Sequence, residues 1–204
     1  MGTVRLSPLS SYLSFHLLQD SPCIVDHANA QRTQLFDLKS LNWSHRLAGL
    51  FDVPISVLPR CVPVLSGIDA PHGMLFDTDI PVNAINGDQN AAVYGTGRLQ
   101  QDAVMVNLGT GAFLLRRLQG YRASKKLLTG ITCSNHDVTE YTREATINGC
   151  GNALHWLEKQ YPENTINRKL PEWLKTIRQP PLFINTIGGL GSPWWRSDIE
   201  ARFI

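Results

Sequence analysis

The stretch "AINGDQNAAVYGTG" (84–97), followed by "VMVNLGTGAFLLRR" (104–117), is where the reading of this chain is decided. The first piece closes an apolar run at Asn86-Gly87 and then places Asp88 and Gln89 ahead of small residues. That pattern predicts a buried strand giving way to a helix at or just after Asp88. The second piece is two β-rich runs joined at Gly109-Thr110-Gly111, a strand–turn–strand by its glycines and flanks. A carboxylate delivered like Asp88 can be a turn residue, a helix N-cap worth about 1 kcal/mol, or a general base.

Working outward, "SPLSSYLSFHLLQ" reads as a short helix that Ser10 or Ser11 can cap, with Tyr12, Phe15 and Leu18 on one face. "SHRLAGLFDV" is a compact amphipathic helix with Leu47, Leu50 and Phe51 at helical spacing. The two prolines of "DVPISVLPR" then interrupt regular structure. Beyond the hairpin, "LLTGITCS" and "VTEYTREATING" are further strands. "GCGNALHWLEKQ" is a glycine-led amphipathic helix, "PEWLKTI" a second short one, and "PLFINTIGGLGSPWW" a strand entering a glycine- and proline-rich loop. Mixed helix and loop give way to a β-meander near residue 102, the best place for a domain boundary. The pattern as a whole is α/β or α+β.

Composition narrows the function classes. The 204 residues carry a net charge of +2 with Lys and Arg scattered, which argues against a nucleic-acid partner. No apolar run reaches the length of a membrane span, and the first residues lack a secretory pattern, so a cytoplasmic protein away from membranes is expected. Four cysteines (Cys23, Cys61, Cys133, Cys150) are dispersed without metal-ligand spacing, so reduced thiols and no metal site of their own are expected.

Two glycine-rich pieces could meet phosphate. Glycine on both sides of Thr110 lets backbone N–H groups and a hydroxyl approach an anion, or it serves a tight hairpin turn. Gly149 and Gly151 open a helix whose N-terminal dipole could face phosphate oxygens, or they permit close packing against a strand. Neither stretch is a Walker loop or a dinucleotide fingerprint.

In their order along the chain these stretches resemble the FGGY family of carbohydrate kinases, and within it the glycerol kinase branch. "DHANAQRTQLFDLKSLNW" (26–43) is similar to the family's Asp-x-x-Asn-Ala-Ser-Arg-Thr stretch through Asp26, Asn29, Ala30, Arg32 and Thr33, with Gln31 in place of Ser. "GDQNAAVYG" (87–95) resembles the Gly-Asp-Gln block that carries the catalytic base, and "LGTGAFLL" (108–115) the Gly-Thr-Gly-Cys-Phe turn with Ala112 for Cys. "GNALHWL" (151–157) and "GGLGSPWW" (188–195) resemble the nucleotide-side helix and the Gly-Leu-Gly-Ala-Pro-Tyr-Trp loop.

The resemblance implies an actin-like ATPase (RNase H-like) fold. Residues 1–101 would be the C-terminal part of the substrate-side domain, and 102–204 the N-terminal part of the nucleotide-side domain. It implies ATP-dependent phosphotransfer to a polyol or sugar hydroxyl, with ATP and Mg²⁺ as cofactors. Asp88 would be the base, Asp88, Gln89 and Phe113 would hold substrate, and Gly109, Thr110, Gly111, Gly151 and His155 would face the nucleotide. Family members run to more than twice this length, so the expectation is a piece of a kinase with little activity alone. The alternative is a non-catalytic binding or scaffold fragment. Apolar surface that includes Trp194 and Trp195 would favour homo-oligomers.

Overall fold

In a computed structural model, residues 4–95, 97–161 and 166–204 are described. Along the chain run α1 (Leu9–Leu17), β1 (Ile24–Asp26), α2 (His27–Ala30), β2 (Phe36–Asp37), β3 (Asn42–Trp43), α3 (His45–Leu50), β4 (Arg60–Val62), β5 (Gly73–Met74), β6 (Pro81–Val82) and α4 (Asp88–Ala92). Then come β7 (Val104–Leu108), β8 (Ala112–Leu118), β9 (Leu128–Ser134), β10 (Thr139–Ile147), α5 (Gly151–Gln160), α6 (Ile166–Thr176), β11 (Phe183–Ile184) and β12 (Arg202–Phe203). The chain forms two compact units. The first takes residues 1–103, 117–123 and 129–142, and the second takes 104–116, 124–128 and 143–204.

The first unit is built on β1, whose three residues are all buried and pair in parallel with β4 from Ile24↔Arg60 to Asp26↔Val62. A parallel pair buried on both faces wants apolar, β-branched residues, which Ile24, Val25 and Val62 supply. Its main core gathers Val25, Leu35, Phe36 and Trp43 with Ile131 of β9 and Tyr141 of β10. The Trp43 indole Nε1–H donates to the carbonyl of Pro59 at 2.6 Å. In the second unit, β7 and β8 pair antiparallel from Val104↔Arg116 to Leu108↔Ala112, and β11 pairs with β12.

Several local expectations change. In α1 the packed residues are Ser11 and Ser14, followed by Leu18 just past its end, while Tyr12 and Phe15 are exposed. Small hydroxyls allow a closer approach, and Ser14 Oγ satisfies itself on the carbonyl of Ser10 at 2.9 Å. No side chain caps this helix at Ser10 or Ser11; Pro8 holds the cap position. In α3, capped by Ser44 through Leu47 N–H, Ala48 is buried and Leu50 and Phe51 are exposed. Residues 83–87 are irregular rather than a buried strand, since β6 stops at Val82. Helix α6 begins at Ile166 and carries Pro171 inside it, so apolar periodicity outweighs the hydrogen bond that proline removes.

Candidate functional site

Asp88 is delivered by a segment that has no regular structure but is held along its length. Ser66 N–H donates to the carbonyl of Asn83 at 2.9 Å, and Ile85 N–H to that of Val64 at 3.0 Å. Gly87 is extended (φ −77°, ψ 146°), occupies the N-cap and accepts the first helical hydrogen bond from Ala91 N–H at 2.8 Å. The carboxylate of Asp88 is therefore not the cap. It belongs to the first helical residue, lies exposed, and its Oδ1 accepts the N–H of Gln89 at 2.7 Å.

The rest of α4 is anchored beneath Asp88. Asn86 Nδ2 donates to the carbonyl of Thr132 at 3.1 Å, and the buried Asn90 donates through Nδ2 to that of Ile131 at 2.6 Å. Just past the helix, the Tyr94 hydroxyl donates to the Glu140 carboxylate at 2.8 Å; Arg98 and Arg117 pair with the same carboxylate. Burial works against the charge of Glu140, but the Tyr94 hydroxyl and the two guanidiniums hold its carboxyl below the ordinary range.

In the second unit the structure brings Gly109, Thr110, Gly111 and Gly151 together. Gly109 N–H donates to the carbonyl of Gly111 at 2.8 Å, closing the hairpin tip. The start of α5 then packs on that tip. Gly151 N–H donates to the carbonyl of Gly109 at 2.8 Å, and Cys150 and Asn152 N–H donate to that of Thr110 at 2.9 and 3.3 Å. A Cβ on Gly151 would stand 2.8 Å from the oxygen of Gly109, and one on Gly111 would stand 2.9 Å from that of Ile147. Close packing is thus what these two glycines permit. The opening amides of α5 are spent on carbonyls rather than left for an anion. Thr110 itself is exposed at the tip.

Phe113 sits two residues beyond the turn, opposite Asn107 and partly buried. His155 lies one turn along α5 from Gly151, exposed, with Nδ1 3.9 Å from Glu158 Oε2. Asp88 and Gln89 belong to the first unit, and the glycine turn, Phe113 and His155 to the second. Among the described residues no group of three or more His, Cys, Asp or Glu side chains could hold a metal ion. The four cysteines are free, and burial pushes the Cys61 thiol up to about 12, far from a nucleophile at neutral pH. No described helix is long and apolar enough to cross a membrane.

Residues 6–95 match the model of the FGGY family of carbohydrate kinases, N-terminal domain. By this match and the relatives that follow, the chain resembles the FGGY family. It is 31% identical to the glycerol kinase of Stenotrophomonas maltophilia strain R551-3 over 98% of its own length and 41% of that protein's. Glycerol kinase 2 of Clostridium tetani is 24% identical over all of this chain and 42% of its own. The chain therefore spans about two fifths of the length of the curated relatives it matches. A crystal structure of Plasmodium falciparum glycerol kinase with ADP superposes with a TM-score of 0.79 at 24% identity, covering 97% of this chain and 40% of that one. A ligand-bound xylulose kinase from Lactobacillus acidophilus gives 0.77 at 17% identity, covering 98% and 42%. At such identities the likeness shows the fold alone: the mixed α/β, actin-like ATPase fold of the FGGY sugar kinases.

The sequence reading passed over Asn86, Asn90 and Tyr94. Their signal was present as uncharged polar residues two before, two after and six after Asp88, in a stretch otherwise made of small side chains.

Proposed function

We infer that the protein carrying this chain transfers the γ-phosphoryl of ATP to a hydroxyl of a glycerol-like polyol or sugar, with Asp88 as general base. The observation that carries this reading is Asp88 itself. It is an exposed carboxylate on the first helical residue of a family-matched domain, freed from capping because Gly87 fills the cap. In this role Asp88 takes the proton of the attacking hydroxyl, and Gln89 hydrogen-bonds the polyol. Phe113 offers an apolar ring to the carbon side of the substrate. Thr110, between Gly109 and Gly111, stands on the side of the transferred phosphate, with Gly151 and His155 along the nucleotide helix. Such transfer rests on positioning and charge neutralisation more than on covalent chemistry.

Mg²⁺, when bound with ATP, would supply part of that neutralisation. The test is a coupled assay of ADP release with a panel of glycerol, other polyols, ketoses and sugar acids. Release that depends on a glycerol-like polyol is expected, and no substrate-dependent release across the panel overturns the reading. One second reading, a polyol-binding module without turnover, is favoured by the opening amides of α5, which are spent on the carbonyls of Gly109 and Thr110 rather than left for a phosphate. Calorimetric polyol binding in a protein that releases no ADP would select it.

A further inference from the structure

Helix α4 has little of its own to fix where Asp88 stands. It is five residues long, its cap residue has no side chain, and the segment leading into it is irregular. A single turn of this kind is unstable in isolation, so its position is set by tertiary contacts. Two carboxamides supply them from both sides of Asp88, Asn86 two residues before and Asn90 two residues after. They donate to the successive carbonyls of Thr132 and Ile131 on β9. A carbonyl acceptor fixes which end of each carboxamide faces the strand.

The strand is itself clamped. The Gln31 side chain reads Ile131 as a neighbouring strand would, its Oε1 accepting Ile131 N–H at 2.6 Å and its Nε2 donating to the same carbonyl at 2.8 Å. Ile131 is fully buried, and farther along β9 Ser134 accepts Val64 N–H on Oγ and Leu65 N–H on its carbonyl. Asn90 is 5% exposed, so water cannot replace its bond to Ile131.

We propose that Asn90, assisted by Asn86, is a positioning residue that holds Asp88 in place by tying α4 to the clamped carbonyls of β9. The proposal rests on the reading of Asp88 as the base. It follows from the cost of misplacing a reacting group, about 100-fold in rate for 1 Å.

The test compares Asn90→Ser, whose hydroxyl is too short to reach Ile131, with Gln31→Leu, which removes the clamp on that same carbonyl from outside α4. Amide hydrogen exchange is read on the chain, and kcat and KM are read on the protein that carries it. Asn90→Ser should speed exchange across 88–94 by about tenfold and leave 128–134 unchanged. It should also cut kcat by about 10- to 100-fold with KM for ATP preserved. Gln31→Leu should loosen 128–134 and, because it frees the carbonyl that Asn90 holds, cut kcat less than Asn90→Ser does, by about three- to tenfold. If Asn90→Ser does not fold, Asn90→Asp, which sets a carboxylate against the Ile131 carbonyl, carries the same expectation. Unchanged exchange at 88–94, or kcat losses that merely track the drop in Tm in both variants, would overturn the proposal. An Asp88→Asn variant with full turnover would instead sink the base reading, and the exchange result would still decide whether the anchor exists.

Discussion

His27, the first residue of α2, is buried with Nδ1 2.9 Å from Ser134 Oγ, and burial pushes its imidazole down to about 4 from an ordinary 6.5. The folded chain therefore binds fewer protons than the unfolded chain between those values. The contribution of His27 to stability is complete above pH 6.5 and is lost as the pH drops toward 4, by about 3 kcal/mol in all. Denaturant midpoints taken from pH 7 to 4 should show this slope, and His27→Gln, which keeps a polar partner for Ser134 but does not titrate, should flatten it. An unchanged slope would place the proton elsewhere. Sequence reading could not find this residue, because a histidine in "DHANA" carries no sign of its burial. Asp88 was legible for the opposite reason: Gly87 before it and small residues after it dictate a chain turning into a helix. Of its three readings, Gly87 at the cap position removes one, the side-chain N-cap.

Among the elements, the hairpin of β7 and β8 and the strands β9 and β10 were readable almost residue for residue, since alternation and turn glycines act locally. The short strands of the first unit were not. β1 and β4 are three residues each and pair across more than thirty positions, so nothing near either one announces its partner. In helices α1 and α3 the apolar spacing does not mark the buried face, because the packed positions are serines and an alanine that let backbones come close. Gly151 carries a test at this scale. Glycine at the start of a helix is ordinarily a weakness that alanine would relieve by up to about 1 kcal/mol. Here the added Cβ meets the carbonyl of Gly109 at 2.8 Å, so Gly151→Ala should destabilise by about 1–3 kcal/mol. Thermal unfolding decides the sign, and a more stable variant would show that the contact is not limiting.

For the molecule as a whole, each unit has its own consequence. In the second, α5 and α6 enclose an apolar groove of about 790 Å³ lined by Leu157, Leu170, Trp173, Ile177 and Phe203, with Leu174 and Trp194 also exposed. That much open apolar surface favours association. Light scattering should show mass rising with concentration, and Leu174→Lys should shift the chain toward monomer; a clean monomer throughout would contradict this. In the first unit Asp88, the proposed base, stands exposed at the start of α4. The most direct measurement is turnover of Asp88→Asn against the parent protein, with ATP, Mg²⁺ and glycerol. Because Asp88 is exposed and an asparagine oxygen can still accept the N–H of Gln89, the variant should keep its Tm while kcat falls by about 10²- to 10⁴-fold. Undiminished kcat in a folded variant would contradict the assignment of Asp88 as the base, and with it the reading of residues 1–101 as the substrate side of a phosphotransferase.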